Sequence, residues 1–151
     1  MEVALMEVHF ETRYCLSDNG KFIADDPSYW VPIMQYFFKQ SDNIAIHCWT
    51  GEEKVNEEIR HEFTELSIKH DMYMTIYEGR LAEKIIDFLT KNPQDEDGQI
   101  KWFSIFLYLN NNCHFSSEHF GTEFHANNLN VEQFEYIKSI LPKDTNFTTW
   151  D

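Results

Sequence analysis

The chain has 151 residues, 42% hydrophobic and 16% aromatic, with only five glycines and four prolines. At that length folding buries roughly 70% of an unfolded chain's surface, so one domain over residues 1–151 with an aromatic core is expected, and disordered, collagenous and low-complexity classes are excluded. Twenty-six acidic against 12 basic residues leave a net charge of −14, a field that repels nucleic acid and anionic membrane surfaces and favours a basic partner.

From Ala4, Met6, Val8, Phe10 and Tyr14 alternate with Glu7, His9, Glu11 and Arg13, the period of a half-buried strand. Asp18-Asn19-Gly20 reads as a turn, because Asn-Gly tolerates positive φ, and Lys21 to Ala24 is expected to return antiparallel to the first strand. Asp25-Asp26-Pro27 opens a short helix through Phe38, with a capping acid ahead of a proline whose missing N–H is not needed there; Pro32 is a potential kink.

Asn43 to Trp49 reads as a strand with Ile44, Ile46 and Cys48 on one face. Thr50 and Glu53 have capping-box spacing, and Val55, Ile59, Phe63 and Leu66 continue at helical spacing behind an acidic outer face. A single strand is expected at about residues 67–77, with Gly79 separating it from an amphipathic helix of Leu81, Ile85, Phe88 and Leu89 that Asn92-Pro93 stops. Residues 94–98 form a polar loop. Ile100 to Leu109, apolar on both faces, belongs inside a covered sheet, and the run of asparagines at 110–112 turns the chain into a strand from Cys113 to about Phe120. Residues 121–130 read as loop, and Asn130 with Gln133 caps a last helix ended by Pro142. The order predicts an α+β domain with a mostly antiparallel or mixed sheet and about four helices.

No window approaches the roughly eighteen apolar residues of a membrane span, and Met1 to Glu7 carries acid where a signal peptide carries base, so a cytoplasmic location is expected. Cys15, Cys48 and Cys113 form no Cys-x-x-Cys pair and read as buried small apolar residues of a reducing compartment. The sequon at Asn146 has no meaning without secretion.

No constellation dictates a chemistry. His61-Glu62 begins a zinc-protease pattern but lacks the histidine at i+4. His119 and His125 share strand parity, yet Gly121 interrupts them, and no metal or other cofactor is assigned. Asp95, Asp97 and Gly98 echo a calcium loop whose first and last ligand positions hold Pro93 and Ser104. There is neither a Gly-x-Ser-x-Gly elbow nor a glycine-rich phosphate loop. What remains is the charge, half of whose excess lies in residues 51–100 with 13 acids and 6 bases. Glu52, Glu53, Glu57, Glu58 and Glu62, with Asp95, Glu96 and Asp97, are the candidate contact surface for a basic partner.

The first hundred or so residues resemble the immunity proteins of bacterial contact-dependent growth-inhibition systems. The resemblance rests on the strand Val3 to Tyr14, the Tyr29-Trp30-Val31-Pro32 entry to an aromatic helix containing Phe37-Phe38, the strand ending at Trp49, and the acidic helix after it. It implies a cytoplasmic, non-enzymatic protein that binds and neutralises one cognate toxin domain, often a nuclease. The second reading is a small metal-dependent enzyme using His114, His119, Glu118 and Glu123. A single-stranded nucleic-acid binder ranks last, because 12 scattered bases form no groove.

Overall fold

The computed structural model describes residues 4–150; Met1 to Val3, on which part of the N-terminal reading rests, and Asp151 lie outside the described residues. In chain order the elements are β1 (Met6–Glu11), β2 (Tyr14–Leu16), β3 (Phe22–Ala24), a 3-10 turn (Pro27–Tyr29), α1 (Trp30–Phe38), β4 (Asn43–Trp49), α2 (Glu53–Glu62), β5 (Ser67–Asp71), β6 (Met74–Arg80), α3 (Glu83–Lys91), β7 (Ser104–Leu109), β8 (Asn112–Glu118), β9 (Glu123–Leu129), α4 (Val131–Ile140) and β10 (Asn146–Trp150). Eight strands make one sheet in the order β10-β1-β9-β8-β7-β4-β6-β5, with every neighbouring pair antiparallel, and β2 with β3 forms a separate ribbon. The fold is α+β, as the element order predicts. Among the described residues no helix is long and apolar enough to cross a membrane.

Strand alternation sorts the sheet into two faces. Val8, Phe10, Phe124, Ala126, Phe115, Leu107, Ile105, Ile44, Ile46 and Tyr77 succeed one another across the register and are at most 1% exposed. The helices bury Trp30, Ile33, Met34, Phe37 and Phe38 of α1, Ile59 of α2, Ile85 and Leu89 of α3, and Ile137 of α4 in the same core. Aromatic pairs join helix to sheet and strand to strand: Phe37 of α1 stacks on Phe115 at 3.8 Å and Trp30 on Trp102 at 5.6 Å, while Phe10 and Phe124 stack within the sheet at 4.9 Å between ring centroids. Such pairs contribute about 0.5–1.5 kcal/mol each beyond their buried area. The other face carries a row in register across all eight strands: Thr148, His9, His125, Ser116, Phe106, Ala45, Glu78 and Ser67.

Several local expectations are corrected. Lys21 to Ala24 pairs with Tyr14–Leu16 and not with β1; Ser17 N–H donates to the Lys21 carbonyl, and only Gly20 (φ +80°) of the intervening loop is left-handed. The Thr50–Glu53 capping box does not form: Thr50 Oγ1 instead bonds Thr75 Oγ1 at 3.0 Å, and Glu52 stands at the cap position of α2. Residues 67–77 are two strands and not one, turned at Met72 (φ 55°), and Gly79 lies within β6, where a Cβ would meet Leu66 Cδ2 at 2.8 Å. The 121–130 loop is mostly strand β9, and the chain ends in the edge strand β10. Cys48 is buried, but Cys15 and Cys113 are exposed thiols. Other signals act as expected: Asp26 accepts from Ser28 N–H ahead of Pro27, and α1 runs on past Pro32 in its first turn. Asn110 and Asn111 (φ 51° and 66°) make the β7–β8 turn, and Asn130 and Gln133 form the reciprocal capping box of α4.

The β8–β9 connection holds three consecutive left-handed residues. His119, Phe120 and Gly121 are all left-handed (φ 49°, 56° and 74°), a conformation that costs a non-glycine residue about 1–2 kcal/mol. It is held from below by the start of α1. The Tyr29 hydroxyl donates to the Gly121 carbonyl at 2.6 Å and is 2.6 Å from Thr12 Oγ1, which leaves Thr12 as the donor between those two; Trp30 Nε1–H donates to Ser117 Oγ at 3.1 Å. Burial pushes the Tyr29 hydroxyl up to about 12, so it keeps its proton as a donor. A Cβ on Gly121 would meet Trp30 Cδ1 at 2.7 Å and Ile100 Cγ1 at 2.8 Å. Gly121→Ala therefore combines a clash with a disfavoured φ and is expected to lower unfolding free energy by about 2–4 kcal/mol, read from the midpoint of urea denaturation.

Candidate functional site

The acidic surface comes first, since the sequence singles it out. Asn56, buried in α2, donates its amide to the Trp49 and Glu52 carbonyls at 3.0 and 2.7 Å and accepts from the Tyr77 hydroxyl at 2.6 Å, so the helix is fixed to β4 and β6 and its Glu-rich side faces water. Glu57, Glu58 and Glu62 line a groove of about 620 Å³ whose apolar wall is Phe88. An adjoining groove of about 330 Å³, which shares Lys54, Glu58 and Lys101 with the first, brings in Asp95 and Glu96. Five of the eight candidate acids thus line one or other of these two adjoining grooves, and Glu53 is exposed at the start of the same helix.

The remaining candidates have other work. Glu52 turns inward to accept from Trp49 N–H at 3.2 Å, and burial raises its carboxyl pKa. Asp97 bonds Lys21 Nζ at 2.6 Å, with Asp95 on the same ammonium at 2.9 Å; the hydrogen bond from Lys21 holds the Asp97 carboxyl below the usual carboxylate range. Within the groove, Lys101 reaches Glu58 at 3.4 Å and Lys54 reaches Glu96 at 3.3 Å. The concavity therefore holds alternating charge, with five carboxylates against Lys54, Lys91 and Lys101.

A second constellation lies on the helix-free row of the sheet. Register places His9, His125 and Ser116 side by side on β1, β9 and β8, and Glu11, Glu123 and Glu118 in the next row. Glu123 is its hub: Oε1 lies 2.7 Å from His9 Nε2 and 3.8 Å from His125 Nε2, while Oε2 bonds Nδ1 of His119. His125 Nε2 is also 3.4 Å from Glu118 Oε2, which accepts the Ser116 hydroxyl at 2.8 Å. Burial pushes the Glu123 carboxyl up, but the hydrogen bonds from His9 and His119 outweigh it and hold it below its ordinary value. The His119, Glu118 and Glu123 group read from the sequence is thus assembled, with His9 and His125 added. His9 was legible only as the outward member of the first strand's alternation.

His114 does not belong to this group, which corrects the second reading. It is the extra residue of a bulge opposite Leu107 and Tyr108, and its Nε2 is 2.7 Å from Oγ of Ser41 in the connection between α1 and β4. Ser41 donates its proton to the Phe37 carbonyl at 2.7 Å, which leaves Nε2–H of a neutral ring as the donor. Burial lowers the His114 pKa, against the pull of Asp42. The unfolded chain takes up a proton near pH 6.5 and the folded chain only below that, so this stability is full above about pH 6.5 and is lost as pH falls toward the depressed folded value. His114→Gln is expected to flatten the loss between roughly pH 7 and pH 5 relative to the natural chain, measured as urea midpoints at both pH values. No family model, no curated protein and no solved structure matches this chain.

Proposed function

We propose that the chain is a cytoplasmic immunity protein that binds a basic toxin domain, such as a nuclease, and neutralises it without catalysing a reaction. The observation that carries this reading is the pair of adjoining grooves beside α2, where Glu57, Glu58 and Glu62 line the first together with the half-buried Phe88, and Asp95 and Glu96 line the second. A groove with an aromatic wall and an acidic rim suits a basic segment that buries an apolar anchor and sets its cations against the carboxylates. The lysines inside it favour a partner that also carries acids, which is a source of specificity. The net charge of −14 supplies long-range attraction that the local alternation does not cancel. The resemblance of the Tyr29-Trp30-Val31-Pro32 and Phe37-Phe38 landmarks to growth-inhibition immunity proteins favours the same reading.

The test is affinity for a basic toxin domain encoded beside this chain, measured across ionic strength. Binding is expected to weaken as salt rises, mainly through a slower association rate. A triple variant at exposed positions, Glu57→Lys, Glu62→Lys and Glu96→Lys, is expected to bind about 10–100 times more weakly with its melting temperature little changed. Unchanged affinity, or affinity indifferent to salt, removes this mechanism.

A further inference from the structure

We propose that His9, Glu123 and His125 form a binding site for one zinc-class divalent transition ion on the helix-free face of the sheet. Three observations meet there. Nitrogen atoms of His9 and His125 and a carboxylate oxygen of Glu123 all lie within 4.8 Å of one another. Zinc stands about 2.0–2.2 Å from imidazole nitrogen and carboxylate oxygen, so ligands in a tetrahedral set are about 3.3 Å apart. Closing the triad needs side-chain shifts of the order of 1 Å, and the side chains sit on adjacent strands of a rigid sheet, with His9 and His125 directly opposite and their rings 4.5 Å apart.

The second observation is electrostatic. Glu11, Glu123 and Glu118 are cross-strand neighbours, and like charges directly opposite one another destabilise a sheet. In a protein already at −14, such a row calls for a cation at its edge, and the histidines beside it supply the soft nitrogen donors that select zinc, cobalt or nickel over magnesium and calcium. The third is an open side. Two histidines and one carboxylate leave at least one coordination position, and a cavity of about 280 Å³ lined by Glu11, Tyr14, Phe22, His119, Thr122 and Glu123 adjoins the triad through Glu123. Water or a small hydroxylated or anionic ligand fits that position. His119, on the far oxygen of Glu123, orients that ligand, and Glu118 Oε2 stands 3.4 Å from His125 Nε2 at the edge of the site. The site is independent of the toxin-binding groove: none of its residues lines that concavity.

The experiment uses the full chain, free of any purification tag and stripped of metal, titrated with Zn²⁺ and with Co²⁺ as a spectroscopic substitute. One equivalent is expected to bind with Kd below about 10 µM, undisturbed by a large excess of Mg²⁺. His125→Ala, at a half-exposed position that tolerates truncation, and the near-isosteric Glu123→Gln are each expected to weaken binding by about 50-fold or more; His119→Ala is expected to cost about tenfold and His61→Ala, on α2, nothing. Circular dichroism of each variant separates loss of ligation from loss of fold. Absence of saturable binding, binding retained by both folded variants, or binding abolished by Cys15→Ser with Cys113→Ser overturns the proposal.

Discussion

The left-handed run at His119, Phe120 and Gly121 is the constraint on which the rest of the molecule depends. Two residues with side chains are held where L-amino acids lose about 1–2 kcal/mol each, and a third position admits only glycine because Trp30 and Ile100 occupy the space a Cβ would need. Such strain persists only when its surroundings over-determine it. Here the Tyr29 hydroxyl on the Gly121 carbonyl, Trp30 Nε1 on Ser117, and Thr12 paired through its amide to Thr122 at 2.9 Å all converge on the turn from beneath. The same contacts set α1 across the middle of the sheet, and with it the Phe37–Phe115 and Trp30–Trp102 stacks. Above the turn they aim His119 at Glu123. One tight connection thus couples the packing of the first helix to the geometry of the histidine and glutamate cluster on the opposite face.

Covering the sheet on one side only has consequences for its other side. An antiparallel sheet can present one face to water, and the alternation then ought to be apolar inside and polar outside. The outer row departs from that rule in its middle, where His47 packs on Phe106 at 4.7 Å and Trp49 on Phe103 at 4.9 Å, and Phe103 continues to His119 at 5.7 Å. Ser104, Ser116 and Ala45 of the same face are buried beside these rings in the register. The result is a helix-free face with an aromatic centre and a histidine- and glutamate-rich end, and among the described residues that end brings His9, Glu123 and His125 within 4.8 Å of one another.

The elements that the sequence revealed and those it concealed differ in where their information sits. Strand β4 and the capped helix α4 were legible because their signals are local: alternation across Asn43–Trp49, and a side chain at Asn130 that satisfies the amide three residues on. The β5–β6 hairpin was hidden because its turn uses Met72 at φ 55°, where composition offers neither glycine nor asparagine as a marker. β9 was hidden for the converse reason. Its asparagines looked like loop, yet Asn128 (φ 59°) is part of the bulge between Met6 and Val8 of β1, and Phe124 and Ala126 keep the inward alternation that could have exposed the strand. The acidic helix was read correctly as a surface, but the pairing of Lys21 with Asp95 and Asp97 joins residues 74 and 76 apart in the chain, which no local pattern encodes.

That same long-range pairing changes what the net charge means. Lys21, Lys54, Lys69, Lys84, Lys101 and Lys138 are each engaged with at least one carboxylate, so few of the lysines face the solvent as isolated charges. Exposed pairs of this kind add little stability individually, a median of about 0–1 kcal/mol. Their effect on the field is larger, because each removes a positive charge as an independent feature and leaves the unpaired acids to set the potential. Glu53, Glu57 and Glu62 on α2 project that surplus on one side of the molecule, while Glu11, Glu118 and Glu123 concentrate it on the sheet's free face against three histidines. The first group lies at a groove wide enough for a polypeptide side chain; the second is compressed between strands about 4.8 Å apart, a spacing that suits an ion better than a peptide. The two acidic regions therefore differ in geometry, and the two proposals assign them different cations, a basic protein at one and a metal at the other.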